Sequence, residues 1–530
     1  MRSLCLAMCL ASGAAVAADA PLPTLIDAAV AAKIKADAVA AAPQADEYTL
    51  VRRTTLDLVG RLPTPQEVEA FVASKDAEKR VKLVDRLLGT AAFARYQAYL
   101  FDALLNDRAG GKGGSGLQGY LTAAMLENRP WDQMFRELLL ADESKAKGSS
   151  DFLRPKLSDA DRLTAEVSVA FFGVNVSCAQ CHDHPNVKDW TQDHFYGTKS
   201  FLARTFDAGG TVAEREAGLV KFKPTKGPER QAKLMFLTGA VVDTTTVREL
   251  TKDEQAKEKA AADKAKADKK PLPAPGFSAR AKLVDVALDP KNADFFAKNI
   301  VNRMWHRFLG YGLVNPLDQM HSENPPSHPE LLDALAKDTA ANKYDLKRLI
   351  RGIVLGEAYS RGSRYDSEAF PLPTTFAVGR LKPLTPSQLA TALKIANTDP
   401  KVFDGMKFED VEKRMEQFES QARGFASAVA MPTDNFQIGV NEALLFSNGD
   451  RVQKEFLTDG AGTLLGRLKT EKDATAAAKL MIQTVLGRPA ADGEAKAFAD
   501  FAARRTDRPS DAYRHMLWAL VTSAEFRFNH

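Results

Sequence analysis

Apolar residues recur at helical spacing over most of this chain. Residues 26 to 105 read as a run of helices, with Leu50, Leu56 and Leu58 leading into Gly60-Arg-Leu-Pro-Thr64-Pro65. Thr64 is placed to cap the next helix, Pro65 to open it and Glu67 to supply its acidic first turn, and Val68, Phe71 and Val72 make its apolar stripe. From Phe277 the helical period returns. Phe295, Ile300, Val301, Met304 and Phe308 form one face with Trp305 and His306 beside it, and Gly310 closes the helix. Asn324-Pro-Pro-Ser-His328-Pro329 then opens another, with Ser327 or His328 near its start.

Between these stretches the pattern changes. Valine, threonine and glycine around Leu219-Val-Lys-Phe and Leu234-Met-Phe-Leu predict a few short strands over residues 206–248. Residues 249–270 are nearly all Lys, Ala, Asp and Glu and end in the proline cluster 271–275, a solvated linker closing at 276. The predicted fold class is therefore mainly α: a helical domain 18–205, a small β-rich insertion 206–248, the linker 249–276 and a helical domain 277–530. Gly110 to Gly119 lacks both the Gly-Lys-Ser/Thr ending and the preceding strand of a phosphate cradle, so it predicts a flexible surface loop.

An internal echo joins the two ends. Leu58-Val-Gly-Arg through Glu67 to Phe71 resembles Val485-Leu-Gly-Arg through Glu494 to Phe498. Two copies so far apart make no solenoid. They predict one loop-to-helix unit used twice, with the termini packed together.

Residues 1–17 read as a signal peptide: a basic start at Arg2, an apolar run from Leu4 to Val16 too short to span a bilayer, and Ala15-Val16-Ala17 as cleavage site. Export to the periplasm or the extracellular space follows, and no later stretch is long and apolar enough to be a transmembrane segment. With 45% hydrophobic and 26% charged residues the chain is globular, and a formal charge of +4 over 530 residues gives no sign of a nucleic-acid partner.

The chemistry is concentrated in Cys178-Ala-Gln-Cys181-His182, the attachment pattern of a c-type haem. Cys5 and Cys9 fall in the leader, so Cys178 and Cys181 are the pair left after export. They would be the thioether anchors, with His182 as the axial iron ligand. Two rivals stay open: a zinc site using the cysteines with His184 or His194, and a redox-active or structural disulfide. His184 stands too close to His182 to reach the other haem face. A distal ligand would come from the second domain, where Met320, His306 and His321 are candidates. The apolar run Val167 to Val176 before the cysteines suits a haem edge or a buried core equally. No catalytic constellation is legible: there is no Gly-x-Ser-x-Gly elbow, no His-Glu-x-x-His and no carboxylate pair.

Several stretches taken in order point to a family. Arg53-x3-Asp57-Leu-x-Gly60-x-Leu-Pro-Thr, Asn128-x-Pro-Trp-Asp, Cys178 to Pro185 with Trp190-Thr-Gln, Asn302-Arg-x-Trp-His306 through Gly312-Leu-Val, Asn324-Pro-Pro-Ser-His-Pro-Glu-Leu and Trp518 through Glu525-Phe-x-Phe-Asn-His530 resemble the planctomycete cytochrome-c-like secreted proteins. That resemblance implies an N-terminal domain bearing Cys-x-x-Cys-His and a C-terminal domain of unknown function, with no established substrate or reaction. This chain departs from the family at Leu317-Asp-Gln-Met320, where an Asp-Asp-aromatic ending is usual, and in a longer Lys/Ala linker. The expected function is a mono-haem electron carrier or redox subunit working with a redox partner protein. The alternative is a structural or surface-binding protein whose Cys-His cluster holds zinc or a disulfide.

Overall fold

In the computed structural model, residues 21–106, 115–185, 187–268, 270–432, 440–447, 450–505 and 508–530 are described. The expected signal peptide, residues 1–17, lies outside them. The architecture is mainly α, and its strands form two-stranded antiparallel ladders. Three of these occupy the expected insertion, pairing Thr205–Asp207 with Val212–Glu214, Lys221–Phe222 with Arg230–Gln231, and Leu234–Met235 with Val241–Val242. The charged linker is the helix Lys252–Asp268. Part of the glycine-rich stretch departs from expectation. Residues 107–114 lie outside the described set, but Ser115–Leu126 is a helix containing Gly116 and Gly119, because Leu117, Leu121 and Ala124 bury fully at helical spacing.

Two apolar cores organise the molecule. The first collects side chains from Leu22 to Phe376, so helices on both sides of the insertion and linker share it. At its centre Phe171 packs at a tilt against Phe135 with ring centroids 4.6 Å apart, and Trp131 and Phe296 close the cluster. The run Val167–Val176 is thus core, not the wall of an open site. The second core is built from Leu384 to Phe526 together with Leu56 and Leu62.

The helix Glu47–Val59 lies between them. Its residues from Val51 to Val59 are all buried, with Val51, Leu58 and Val59 in the first core and Leu56 in the second. A helix covered all round cannot leave its charges to water. Arg52 donates to the carbonyls of Glu525 and Phe526, and Arg53 to those of His530, Tyr359 and Arg361. Asp57 accepts from Lys382 at 2.8 Å, Tyr359 at 3.0 Å and Asn529 at 2.8 Å. Burial pulls the Lys382 ammonium below its usual range while Asp57 beside it pushes the other way. Lys382–Pro383 pairs in turn with Phe528–Asn529. The termini are packed together, as the echo predicts.

The echo itself is structural. Gly60 and Gly487 both end a helix in the left-handed region, at φ 73° and 74°. Arg61 and Arg488 then each grip the glutamate six residues on, Glu67 at 2.7 Å and Glu494 at 2.8 Å, and each reaches a second one, Glu412 or Glu525. In the first copy Thr64 and Glu67 complete a capping box.

Candidate functional site

Ser177–Gln180 is a single 3-10 turn, and Cys181 follows it in the right-handed region. At three residues per turn, positions i and i+3 eclipse, which suits Cys178 and Cys181 to one partner group. Both thiols are free and exposed. His182 and Asp183 are exposed beside them.

The backbone under this exposed edge is tied down on three sides. Gln180 donates to Asp161 at 2.9 Å, on the helix Ala160–Val167. Its carbonyl accepts from the Tyr196 hydroxyl at 3.1 Å, on the helix Gln192–Leu202. The Cys181 carbonyl accepts from Thr225 at 3.4 Å, in the turn of the Lys221–Gln231 hairpin. The second half of the chain supplies the fourth contact. Val174 bridges Gln319, Asn175 N–H donates to the Asp318 carbonyl at 2.8 Å, and Ser322 donates to both oxygens of Asp189.

The three histidines here differ in which ring nitrogen carries a proton. His182 Nδ1 lies 2.8 Å from the Asp183 carbonyl. A carbonyl only accepts, so in the neutral ring Nδ1 bears the hydrogen and Nε2 keeps its lone pair for a metal. His184 Nδ1 instead accepts from the Val187 amide at 3.1 Å, and His194 Nδ1 from the Thr191 amide at 3.2 Å. Their neutral rings therefore carry hydrogen on Nε2, and ligation through Nε2 would cost them these amide donors. Burial also holds His194 below the usual histidine range, keeping it neutral. Among the described residues no group of three His, Cys, Asp or Glu side chains is arranged to hold a metal ion. The donor set of two free thiols and one correctly protonated imidazole does fit covalent haem attachment.

The distal candidates are dispersed. Met320 is 6% exposed, and its sulfur packs into the core where a side chain on Gly173 would sit, 3.0 Å away. His306 lies on the helix Asp294–Leu309, which meets the motif region where Phe295 stands 5.8 Å from Trp190. Eleven residues on, His306 is about 16 Å further along the axis. His321 is held next to the motif loop, beside Asp189, and burial lowers its ring below the usual range. Its Nε2 meets the Gln319 side chain at 3.2 Å, and its Nδ1 is buried without a partner among the described residues.

Two family models match this chain. Residues 25–207 match PSCyt2, a protein of unknown function (DUF1549), and residues 279–427 match PSD1, a protein of unknown function (DUF1553). The chain carries both, in that order. The Cys-x-x-Cys-His turn lies in the first matched stretch and the 317–322 segment docked beside it in the second. The pairing agrees with the two-domain layout of the family read from the motifs. No curated protein and no solved structure matches the chain. Several other motif residues of that resemblance, Arg53, Asp57, Asn529 and His530, meet in the buried network between the cores, a role their spacing of more than 470 positions hides from a sequence reading.

Proposed function

We propose that this chain is an exported, haem-bearing electron-transfer protein or redox subunit, with Cys178 and Cys181 as covalent anchors and His182 as axial ligand. The observation that carries the reading is the 2.8 Å approach of His182 Nδ1 to the Asp183 carbonyl beside two free thiols, because a carbonyl only accepts and that contact leaves Nε2 to ligate. Bound there, haem supplies reversible one-electron chemistry. The chain's own part is to present that group rigidly. Asp161, Tyr196 and Thr225 hold the turn, and the Asp183 carbonyl orients the imidazole. An exposed edge suits exchange with a partner protein better than reaction with an enclosed substrate. Of the distal candidates, His321 is the one held beside the motif loop.

Exported from a host with a c-type maturation system, the protein should be red and give a pyridine haemochrome band, and the peptide holding Cys178 and Cys181 should carry the mass of haem. Cys178→Ser with Cys181→Ser should abolish all three. Colourless protein with an unmodified peptide overturns the reading and leaves a second one, a non-haem structural or surface-binding protein whose two cysteines, free and exposed, act as a dithiol. Stoichiometric zinc in colourless protein would assign the pair to that metal instead.

A further inference from the structure

The hairpin that touches the motif is unusually basic. Lys221, Lys223, Lys226, Arg230 and Lys233 are exposed along and just after it, against the single carboxylate Glu229. The hairpin is not a detached arm. Phe222 is buried and stacks on Tyr196 with centroids 4.2 Å apart, and Thr225 binds both the Cys181 carbonyl and the Gln192 side chain. The hairpin that carries the lysines is therefore fixed to the motif through Thr225 and Phe222.

The neighbouring acids are largely spent. Lys221 pairs with Glu249 at 2.6 Å, Arg230 with Asp193 at 2.6 Å and Lys199 with Asp161 at 2.5 Å. Asp189 is bound by Ser322, and Asp183 accepts the first amide of the helix Gln192–Leu202. Among the described residues Lys223, Lys226 and Lys233 form no ion pair, and Lys188 adds a fourth exposed cation on the motif loop. Cations kept unpaired beside a reactive edge act on encounter with a charged partner more than on folding stability.

We propose that Lys223, Lys226 and Lys233 form the docking surface for a redox partner protein with a carboxylate-rich face, which they steer onto the exposed edge of Cys178, Cys181 and His182. This rests on the reading of that edge as the redox centre. Docking would place the partner's donor or acceptor group against the motif, where a haem held by Cys178, Cys181 and His182 would exchange one electron with it, in the direction set by the two potentials. Fields of this kind act within a Debye length, about 10 Å at 0.1 M salt, so the encounter weakens steeply as salt rises.

The test uses the haem-loaded protein and the hydroquinone of an acidic flavodoxin as reductant, followed by stopped flow. The rate should fall about tenfold between low and high salt, and the triple variant Lys223→Glu, Lys226→Glu, Lys233→Glu should lose about the same factor at low salt. Lys472→Glu, Lys479→Glu, Lys496→Glu carries the same charge change on the second core and should leave the rate unchanged. Equal rates in wild type and hairpin variant overturn the proposal. If the protein carries no haem, the haem reading fails by its own assay and the surface is read on the free thiols. The dianionic disulfide of nitrobenzoate should then react about tenfold faster than in the hairpin variant at low salt, while dicationic cystamine should show the reverse order. Indifference of both reagents to the substitutions overturns the docking surface, and the predicted reversal keeps it for a dithiol centre.

Discussion

At the residue scale, single hydrogen bonds decide which imidazoles can do chemistry. His182 and His184 are two positions apart, yet one donates from Nδ1 to a carbonyl and the other accepts there from an amide. Nitrogen-15 NMR of the metal-free protein should therefore find His182 protonated at Nδ1 and His184 and His194 protonated at Nε2. The opposite pattern would remove the basis for His182 as ligand. His328 offers a second test. It caps the helix Pro329–Ala341, its ring lies against Phe376, and burial, with the charge of Lys33, pushes it down to about 4. The folded state refuses a proton that the unfolded chain takes up below about 6.5, so stability rises with pH across this window. His328 should thus cost nothing above pH 6.5, and about 3 kcal/mol of stability should be lost as pH falls toward 4. His328→Gln should flatten that part of the profile in denaturant titrations run from pH 7 to 4.

At the element scale, the duplicated helix-turn-helix unit separates backbone demand from packing demand. Both Gly60 and Gly487 adopt positive φ, which costs an L-residue about 1–2 kcal/mol. They differ in surroundings: a Cβ on Gly60 would come within 2.3 Å of the Tyr96 ring, while one on Gly487 would meet nothing within 4 Å. Gly487→Ala should therefore lower stability by about 1 kcal/mol, and Gly60→Ala by about 3 kcal/mol or more once overpacking is added. Similar losses in thermal unfolding would mean that Tyr96 yields without cost.

At the scale of the whole molecule, the charges of one central helix join the two cores. Asp57 collects Tyr359, Lys382 and Asn529, which stand 302, 325 and 472 positions away along the chain. Removing one partner of a buried pair leaves the other charge stranded, at about 3–5 kcal/mol. Asp57→Ala should lower stability by that amount and expose the C-terminal Phe528–Asn529 strand to limited proteolysis before the first core is cut. If the terminal peptide stays protected, the strand is held by its backbone ladder with Lys382–Pro383 and the Arg52 and Arg53 bonds, without need of Asp57.

Local patterns determined most of the elements. Helical period, the Thr64-Pro65 start, the Gly310 stop and the strand-rich insertion all depend on residues within a few positions of one another, where backbone preference and side-chain spacing act directly. The three-residue spacing of Cys178 and Cys181 likewise put both thiols on and just after one turn, where they stand free and exposed. What tertiary structure alone decided is which of these groups share a neighbourhood: that helices on both sides of the charged linker fill one core, that Met320 turns inward while His321 comes to the motif, and that Asp57 meets Asn529. Burial and hydrogen-bond partners set protonation and exposure, and those partners come from chain segments hundreds of residues apart, which no local pattern encodes.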